Sequence, residues 1–299
     1  MNLGFIGLGD IGGPMAMRLL QQLEGAGCLT LWNRSRAKMA PLVRQGARMA
    51  ASPREVMQQS QIVGLCLTSD EAVEQVCEGD SGLFAGRNPD MRTQTIVDFS
   101  TGAPHAARRM ARRAAEQDLG WVDAPVSGGV VAAQQGRLTV FAGGLVQAVQ
   151  AAQPMLSQLA SHCTHMGPAG SGQAVKLCNQ LIVSCNVMAV AEAIALARRA
   201  GVDVARLPGA LQGGFADSAP LQVFGPRMVS PPHGPRLGST ALMHKDACLI
   251  QDMASAVGAA TPLAGLVLQR YAQAVLSPGI GADADLSSVI RLYEEEIPQ

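Results

Sequence analysis

Three glycines near the start of the chain have the spacing of a loop that binds nucleotide phosphates. The short run Leu3–Ile6 is apolar, as expected for a buried strand, and Gly7, Gly9 and Gly12 follow it in G-x-G-x-x-G order. A helical pattern of apolar residues begins directly afterwards. In this setting the first glycine allows a tight turn, the second lets the backbone approach a pyrophosphate, and the third lets helix and strand pack closely. The sequence therefore predicts a dinucleotide-binding loop made of Gly7, Leu8, Gly9, Asp10, Ile11 and Gly12.

The residues after the second predicted strand indicate which dinucleotide the loop would hold. That strand, Leu29–Trp32, is followed by Asn33, Arg34, Ser35 and Arg36, with no acidic residue among them. A carboxylate there would bind a ribose 2′-hydroxyl and repel a 2′-phosphate, whereas guanidinium and hydroxyl groups suit a phosphate. Asn33, Arg34 and Ser35 therefore favour NADP as the cofactor, with NAD as the alternative. The simpler interpretation of the two arginines is that they are solvated residues at the start of a helix.

Hydroxyl residues follow two further predicted strands and are candidates for lining the cofactor. The strands are predicted over 61–67 and 95–99, and the residues that follow them are Thr68, Ser69, Ser100 and Thr101. Ligands of open α/β sheets lie beyond the carboxyl ends of the strands. We therefore assign Leu67, Thr68 and Thr101 to the cofactor site. Capping of the next helix explains each hydroxyl group equally well.

A serine and two glycines follow a later predicted strand, Trp121–Ala124. Backbone N–H groups in a glycine-rich turn after a strand can form a small site for an anion. The sequence therefore predicts such a site at Ser127, Gly128 and Gly129.

The order of the predicted elements divides the chain into two parts. Strands alternate with helices as far as Leu138–Ala142, which implies a parallel sheet covered on both faces. Strand signals stop after the glycine-rich segment Gly167–Gly172. We predict a Rossmann-type, doubly wound α/β domain over 1–166 and an all-helical domain over 167–299. A long apolar helix over about 172–200 joins them, and shorter helices are predicted at about 203–212, 219–228, 241–257, 262–276 and 286–294.

One lysine interrupts the apolar surface of the long predicted helix. Lys176 lies between Val175 and Leu177, and Asn179 follows on the same helix face. A charged lysine on an apolar helix needs a partner or a ligand, and a desolvated amine can exchange a proton with a hydroxyl group. Lys176 is therefore a candidate general acid/base. The alternative is a lysine whose amine reaches solvent from near the helix start.

Composition limits the partners and the compartment. Lys+Arg and Asp+Glu are equal at 23 each, so no overall charge would recruit nucleic acid or an anionic membrane. The seven cysteines include no C-x-x-C pair, which indicates reduced, mostly buried thiols in a cytoplasmic protein. His162, Cys163 and His165 lack a second ligand pair, so we interpret them as a strand or loop edge and expect no metal site. No apolar run is expected to be long enough to span a membrane.

Four stretches together resemble the signatures of the β-hydroxyacid dehydrogenase family. That family includes 3-hydroxyisobutyrate dehydrogenases, tartronate semialdehyde reductases and glyoxylate/succinic semialdehyde reductases. The stretches occur in the order typical of the family and extend over nearly the whole chain. They are Gly4–Gly12, Asp123–Gly129, Gly170–Asn179 and Lys245-Asp246.

The resemblance implies a chemical role for each stretch. Lys176 would be the general acid/base, which takes the proton from the substrate hydroxyl as hydride leaves the same carbon for the nicotinamide. Ser127, Gly128 and Gly129 would bind the substrate carboxylate. The substrate would be a small β-hydroxy acid or its semialdehyde, and the cofactor would be NADP.

The resemblance also implies roles in the second domain. Asn179 would hold either the carboxylate or the hydroxyl of the substrate. Lys245 would lie near both nicotinamide and substrate, and Asp246 would orient it or a domain contact. The family is usually dimeric or tetrameric, so a homodimer or homotetramer is expected.

The chain departs from the family pattern at Ser230–Gly238, where relatives often carry aromatic residues and glycines. Because that segment helps to form the substrate end, His233 or Arg236 could contact a second acidic group, and loop surface is the alternative. Imine reductases resemble this family but usually replace the catalytic lysine, so Lys176 argues against an imine reductase. A 6-phosphogluconate dehydrogenase would have a longer second domain, and a non-catalytic NADP-binding module would have lost the lysine.

Overall fold

The computed structural model describes residues 1–23, 27–230 and 236–294. The chain divides into two compact units, Met1–Lys176 and Leu177–Gln299, and the division falls inside the long helix that the sequence predicts. The contact considered for His233 lies outside the described residues.

Among the described residues, the first unit contains a nine-stranded sheet. Its strands are β1 (Asn2–Ile6), β2 (Cys28–Trp32), β3 (Arg48–Met49), β4 (Ile62–Leu65), β5 (Thr95–Asp98), β6 (Gly120–Asp123), β7 (Val126–Ser127), β8 (Leu138–Gly144) and β9 (Ala160–Gly167). Its helices are α1 (Gly12–Leu23), α2 (Ala40–Val43), α3 (Pro53–Gln59), α4 (Asp70–Cys77), α5 (Pro104–Ala115), α6 (Gly129–Gln135) and α7 (Val146–Leu159). Short 3₁₀ turns lie at Arg36–Met39 and Phe84–Gly86.

The strand order is β3-β2-β1-β4-β5-β6-β8-β7, with β9 beside β8. All pairs from β3 to β6 are parallel, which confirms the predicted Rossmann-type α/β domain. The parallel arrangement that the sequence implies does not extend to β8, which runs antiparallel to β6 and β7. The segment 128–137 between β7 and β8 is shorter than the dozen or more residues that a parallel crossover needs.

The sheet is covered on both faces because residues along β1, β4, β5 and β6 alternate between two apolar clusters. Leu3 and Phe5 of β1 pack with α1 and α7 on one face, whereas Ile6 packs with α3, α4 and α5 on the other. All three side chains are at most 1% exposed. Helices on both faces leave the carboxyl edge of the sheet for the loops after β1, β4, β5 and β6.

The second unit is helical, as predicted. Its helices are the remainder of α8 (Ser171–Arg199), then α9 (Leu207–Leu211), α10 (Ala219–Val229), α11 (Thr240–Val257), α12 (Pro262–Leu276) and α13 (Arg291–Glu294). The 3₁₀ turns Val204–Arg206 and Leu286–Ile290 precede α9 and α13. Its core includes the fully buried Ala191, Ile194 and Tyr271.

Helix α8 is more exposed than its apolar composition predicts. One window of 18 residues in it has a mean hydropathy of 1.7, enough by length and composition to span a membrane, and 39% of that window is buried. The expectation that no apolar run is long enough to span a membrane is therefore wrong for the described residues. The core helix of a protein outside a membrane can be equally long and apolar. Ile182 and Leu196 are 63% and 71% exposed, so the single chain does not bury the whole apolar surface of α8.

All seven cysteines lie in described residues and are free thiols. The prediction of mostly buried thiols is wrong, since Cys77 is buried while Cys163 and Cys178 are exposed. Cys163 lies with His162 and His165 on the edge strand β9, and Cys178 lies on the exposed side of α8. Within the described residues, no group of three potential ligands could hold a metal ion.

Candidate active site

The three glycines between β1 and α1 meet different needs. A Cβ atom at Gly7 would overlap the carbonyl oxygen of Cys66, and one at Gly12 would overlap that of Gly7. Gly7 also has a φ angle of 94°, in a region that favours glycine. A Cβ atom at Gly9 would meet no atom within 4 Å. The space in front of Gly9 therefore lets an external group such as a pyrophosphate approach the backbone near the start of α1.

Asn33 connects the end of β2 to the glycine loop. Its Oδ1 accepts a hydrogen bond from the backbone N–H of Leu8 (2.9 Å), and its Nδ2 donates to the carbonyl oxygen of Ser35 (2.9 Å). The side chain of Asn33 thus holds the loop, while Arg34 and Ser35 beside it are exposed. In dinucleotide-binding domains this position adjoins the adenosine ribose, and contact of these three residues with the cofactor stays a prediction.

The hydroxyl residues after β4 and β5 have different surroundings. Ser69 caps α4 through its Oγ atom, as the helix-cap interpretation predicts. The Oγ atom of Ser100 accepts a hydrogen bond from the backbone N–H of Leu67 (2.9 Å), which joins the loops after β4 and β5. Thr68 follows Leu67, and Thr101 follows Ser100, at the edge of the sheet where β1 also ends. Leu67, Thr68 and Thr101 remain the candidates for lining the cofactor.

The carboxylate of Asp123, at the end of β6, holds the start of α8. Its two oxygens accept hydrogen bonds from the backbone N–H groups of Gly170 (2.8 Å) and Gln173 (3.0 Å), and the residue is fully buried. A carboxylate at a helix N-terminus satisfies N–H groups that have no partner within the helix and interacts favourably with the helix dipole. The helix that carries Lys176 is therefore fixed to the strand that precedes the Ser127 turn.

Gln173 connects the same helix to the end of β5. Its Nε2 donates to the carbonyl oxygen of Ser100 (2.8 Å), and its Oε1 accepts from the backbone N–H of Gly102 (3.0 Å). The side chain is almost fully buried. Sequence reasoning missed Gln173 and the capping role of Asp123. The available signal was a glutamine directly after the glycines that begin an otherwise apolar helix.

Two further glycines let α8 approach the sheet closely. A Cβ atom at Gly172 would overlap the carbonyl oxygen of Phe141, and one at Gly143 would lie 2.7 Å from a carboxylate oxygen of Asp123. Main-chain contact therefore sets the distance of α8 from β6 and β8. Lys176 lies one helical turn beyond Gly172, on the same helix face, and so on the face that packs against the sheet.

Lys176 is 7% exposed and is the last residue of the first unit. The predicted anion-binding residues of this unit, Ser127, Gly128 and Gly129, lie where β7 ends and α6 begins. Both glycines are exposed and have positive φ angles of 124° and 72°, which turn the backbone sharply at this point. A buried lysine and a glycine-rich turn thus lie on two elements that Asp123 links.

The predicted substrate residues of the second unit belong to a polar cluster of their own. Asn179 lies on α8, and Lys245 and Asp246 lie on α11. The Nζ atom of Lys245 is 3.2 Å from Oδ1 of Asp246, whose side chain is buried. Asn179 and Asp246 each form a hydrogen bond with Gln180, a residue that sequence reasoning missed.

A second buried carboxylate lies next to Asp123. Asp98 ends β5 and is the register partner of Asp123 across β5 and β6. Burial raises the pKa of Asp98 to about 7; hydrogen bonds from Ser100 oppose the shift, and the nearby charge of Asp123 adds to it. Burial also raises the pKa of Asp123, against the effect of its backbone donors. Asp98 therefore holds a proton at pH values where ordinary aspartates are charged.

We expect the Asp98→Asn variant to be more stable than the wild type at pH 7 and above, and to lose this advantage as the pH falls towards 4. The folded protein keeps the proton of Asp98 up to about pH 7, whereas the unfolded chain releases it near the ordinary value of 3.8. The wild type therefore loses stability as the pH rises through this window, and the uncharged variant does not.

Urea unfolding at about pH 4.5, 6 and 7.5 measures this difference in the free energy of unfolding. The exposed Asp90→Asn substitution is the matched control. An advantage of Asp98→Asn that stays constant over the three pH values would contradict the raised pKa.

Models of two protein families match consecutive parts of the chain. The model described as the NAD binding domain of 6-phosphogluconate dehydrogenase matches residues 2–167. The model described as NAD-binding of NADP-dependent 3-hydroxyisobutyrate dehydrogenase matches residues 170–293. The chain is also 35% identical over 262 residues to 2-hydroxy-3-oxopropionate reductase of Escherichia coli K12, a match that covers 88% of this chain and 87% of the relative. The chain belongs to the β-hydroxyacid dehydrogenase family.

Similarity to other β-hydroxyacid dehydrogenases extends over both units. The chain is 32% identical to 3-hydroxyisobutyrate dehydrogenase of Pseudomonas aeruginosa over 98% of each chain. The structure of Mycobacterium tuberculosis 3-hydroxyisobutyrate dehydrogenase with L-serine matches with a TM-score of 0.83 at 28% identity, over 97% of this chain and 98% of that one. The family predicted from the four stretches is therefore confirmed, as is a nicotinamide cofactor.

Proposed function

We propose that this protein transfers a hydride between NADP(H) and a small β-hydroxy acid or its semialdehyde, with Lys176 as the general acid/base. The observation that carries the proposal is the position of Lys176, a buried lysine one turn beyond the start of α8 that Asp123 caps. A hydroxy acid needs one group to bind its carboxylate and another to move the proton of its hydroxyl. The Ser127 turn and Lys176 would meet these two needs. Substrates of the 3-hydroxyisobutyrate, glyoxylate or tartronate semialdehyde type fit this description.

In the oxidation direction, the neutral amine of Lys176 would accept the proton of the substrate hydroxyl, and in reduction it would return that proton to the carbonyl oxygen. A bound nicotinamide would accept or supply the hydride. The backbone N–H groups of Gly128 and Gly129 and the hydroxyl of Ser127 would hold the substrate carboxylate. Burial of Lys176 limits the access of water to its amine.

NADP rather than NAD is proposed as the cofactor because Arg34 and Ser35 are exposed directly beyond β2, where no acidic residue would repel a 2′-phosphate. Asn33 orients this segment by its hydrogen bonds to the loop backbone. One of the two matching family models is described for an NADP-dependent enzyme.

We expect Arg34→Ala to raise the KM for NADPH about tenfold to a hundredfold and to leave the KM for NADH nearly unchanged. The guanidinium would pair with the 2′-phosphate, which NADH lacks, and a charge-assisted hydrogen bond contributes about 1.5–3 kcal/mol. Initial rates with each cofactor measure the effect, and Arg44→Ala removes another exposed arginine as the control. Equal changes in the two KM values would show that Arg34 does not select the phosphate.

A spectrophotometric screen tests the function directly. Oxidation of NADPH would be followed with glyoxylate, succinic semialdehyde, tartronate semialdehyde and methylmalonate semialdehyde, and the reverse reaction with the matching hydroxy acids and both cofactors. Turnover of at least one of these compounds is expected. Binding of NADPH without turnover of any of them would instead favour a non-catalytic NADP-binding module.

We further propose that the protein assembles as a homodimer or homotetramer. The exposed apolar residues of α8, including Ile182 and Leu196, support this proposal because a single chain leaves them in water. Sedimentation velocity measures the assembly state, and a monomer at micromolar concentration would rule the proposal out.

A further inference from the structure

Four polar side chains of the second unit form a continuous line, which we call the amide chain. Its members are Asn179 and Gln180 on α8, and Asp246 and Lys245 on α11. Nδ2 of Asn179 is 3.1 Å from Oε1 of Gln180, and Nε2 of Gln180 is 2.6 Å from Oδ2 of Asp246. Nζ of Lys245 lies 3.2 Å from the other oxygen of Asp246. The charged residue Lys245 thus lies at one end of the amide chain, and Asn179 lies at the other.

The charge of Asp246 determines the direction of each hydrogen bond in the amide chain. An ionised carboxylate can only accept hydrogen bonds, so the end of the Gln180 amide that faces Asp246 is the NH₂ group. The Oε1 atom of Gln180 then faces Asn179, and an oxygen of this kind also only accepts. Asn179 must therefore turn its own NH₂ group towards Gln180. Asp246 is 3% exposed, so water offers little alternative to this order.

We propose that Gln180 is a positioning residue. Asp246 fixes the orientation of the Gln180 amide, and Gln180 in turn fixes which end of the Asn179 amide faces away from it. That end is the Oδ1 atom, a hydrogen-bond acceptor. An acceptor attracts a hydroxyl group and repels a carboxylate oxygen. Asn179 therefore recognises the hydroxyl of the substrate through Oδ1, and not its carboxylate. This inference rests on the proposed function, because it assumes that Asn179 contacts a hydroxy acid.

The test compares recognition of the hydroxyl with recognition of the carboxylate. In Gln180→Met the amide is lost, so Asn179 is no longer held in one orientation. The KM for the preferred hydroxy acid is expected to rise about tenfold, as for the loss of one hydrogen bond. The inhibition constant of the matching carboxylic acid without a hydroxyl group, and the KM for NADPH, are expected to stay within about twofold.

A matched control separates this effect from a general loss of stability. Gln222 donates from Nε2 to Oδ1 of Asp217 at 2.7 Å, a glutamine–aspartate bond like that of Gln180 but in a different part of the second unit. Gln222→Met is expected to lower the thermal midpoint and to leave both kinetic constants unchanged.

A second variant keeps the inference testable if Gln180→Met does not fold. Gln180→Lys has a side chain of similar length that still donates to Asp246 but offers Asn179 no acceptor, so the Asn179 amide must turn its oxygen towards residue 180. It is expected to raise the KM for the hydroxy acid at least as much as Gln180→Met, whereas a role in packing alone would raise this KM and the inhibition constant of the carboxylic acid together.

Either of two results would overturn the positioning role. The first is an unchanged KM for the hydroxy acid in both Gln180 variants, and the second is an equal rise in this KM and in the inhibition constant of the carboxylic acid. The proposed function fails by a different result, namely wild-type protein that turns over none of the hydroxy acids or semialdehydes.

Discussion

Replacing Lys176 with alanine is expected to lower kcat by a factor of about 10² to 10⁴, the usual contribution of a general acid/base. The substrate hydroxyl would then have no group to take its proton as the hydride leaves. Binding of NADPH is expected to persist, because the glycine loop and the segment after β2 do not depend on this side chain. Steady-state kinetics and fluorescence titration with NADPH measure the two effects separately.

A second substitution distinguishes proton transfer from positive charge at this position. Lys176→Arg keeps the charge, but a guanidinium remains protonated under all ordinary conditions and cannot act as the base. The arginine variant is therefore expected to be nearly as inactive as the alanine variant. Lys38, which is exposed, supplies the control Lys38→Ala. Turnover near the wild-type rate in either Lys176 variant would exclude this lysine as the acid/base.

Replacing Asp123 with alanine is expected to lower the free energy of unfolding by about 2–3 kcal/mol and to lower kcat about a hundredfold. The backbone N–H groups of Gly170 and Gln173 would lose their acceptor in a fully buried place, and the start of α8 would shift. Above about pH 7, where Asp98 is charged, relief of its repulsion with Asp123 offsets part of the loss in stability. Urea unfolding and steady-state kinetics on the same preparation measure both quantities.

The control for this cap is Asp203, whose Oδ1 accepts from the backbone N–H of Ala205 (3.2 Å) at an exposed 3₁₀ turn. Asp203→Ala is expected to cost about 0.5–1 kcal/mol and to leave kcat unchanged. Asp123→Asn, which keeps one acceptor oxygen, should lie between the wild type and Asp123→Ala in both measurements. A catalytic rate that does not fall in Asp123→Ala would mean that the cap does not position Lys176.

Local patterns in the sequence were sufficient to predict most elements of the fold. The glycine loop predicted the turn between β1 and α1, where the backbone itself requires glycine at Gly7 and Gly12. Helix α11 was predicted over 241–257 and begins one residue earlier, where the hydroxyl of Ser239 caps it. The antiparallel direction of β8 was missed because apolar periodicity identifies a strand and carries no information about its direction.

The contacts that fix the candidate site could not be predicted in the same way. Asp123 and Gly170 are 47 residues apart, and no repeat or spacing relates them. Gln180 and Asp246 are 66 residues apart and lie on different helices. The sequence indicated that Lys176 needed a partner or a ligand, but a hydrogen bond between distant residues depends on the packed structure. The composition of α8 shows how apolar the helix is, but it does not show which part of that surface the single chain covers.

The glycine loop separates the requirements of folding from those of binding. Gly7 and Gly12 are demanded by the protein's own backbone, whereas the space in front of Gly9 matters only to a molecule that arrives from outside. Selection of variants for expression or heat resistance would therefore eliminate substitutions at Gly7 and Gly12 and retain many at Gly9. A relative could lose its cofactor through one added methyl group at Gly9 and still melt like an intact enzyme. At this position, survival of the fold is no guide to survival of the activity.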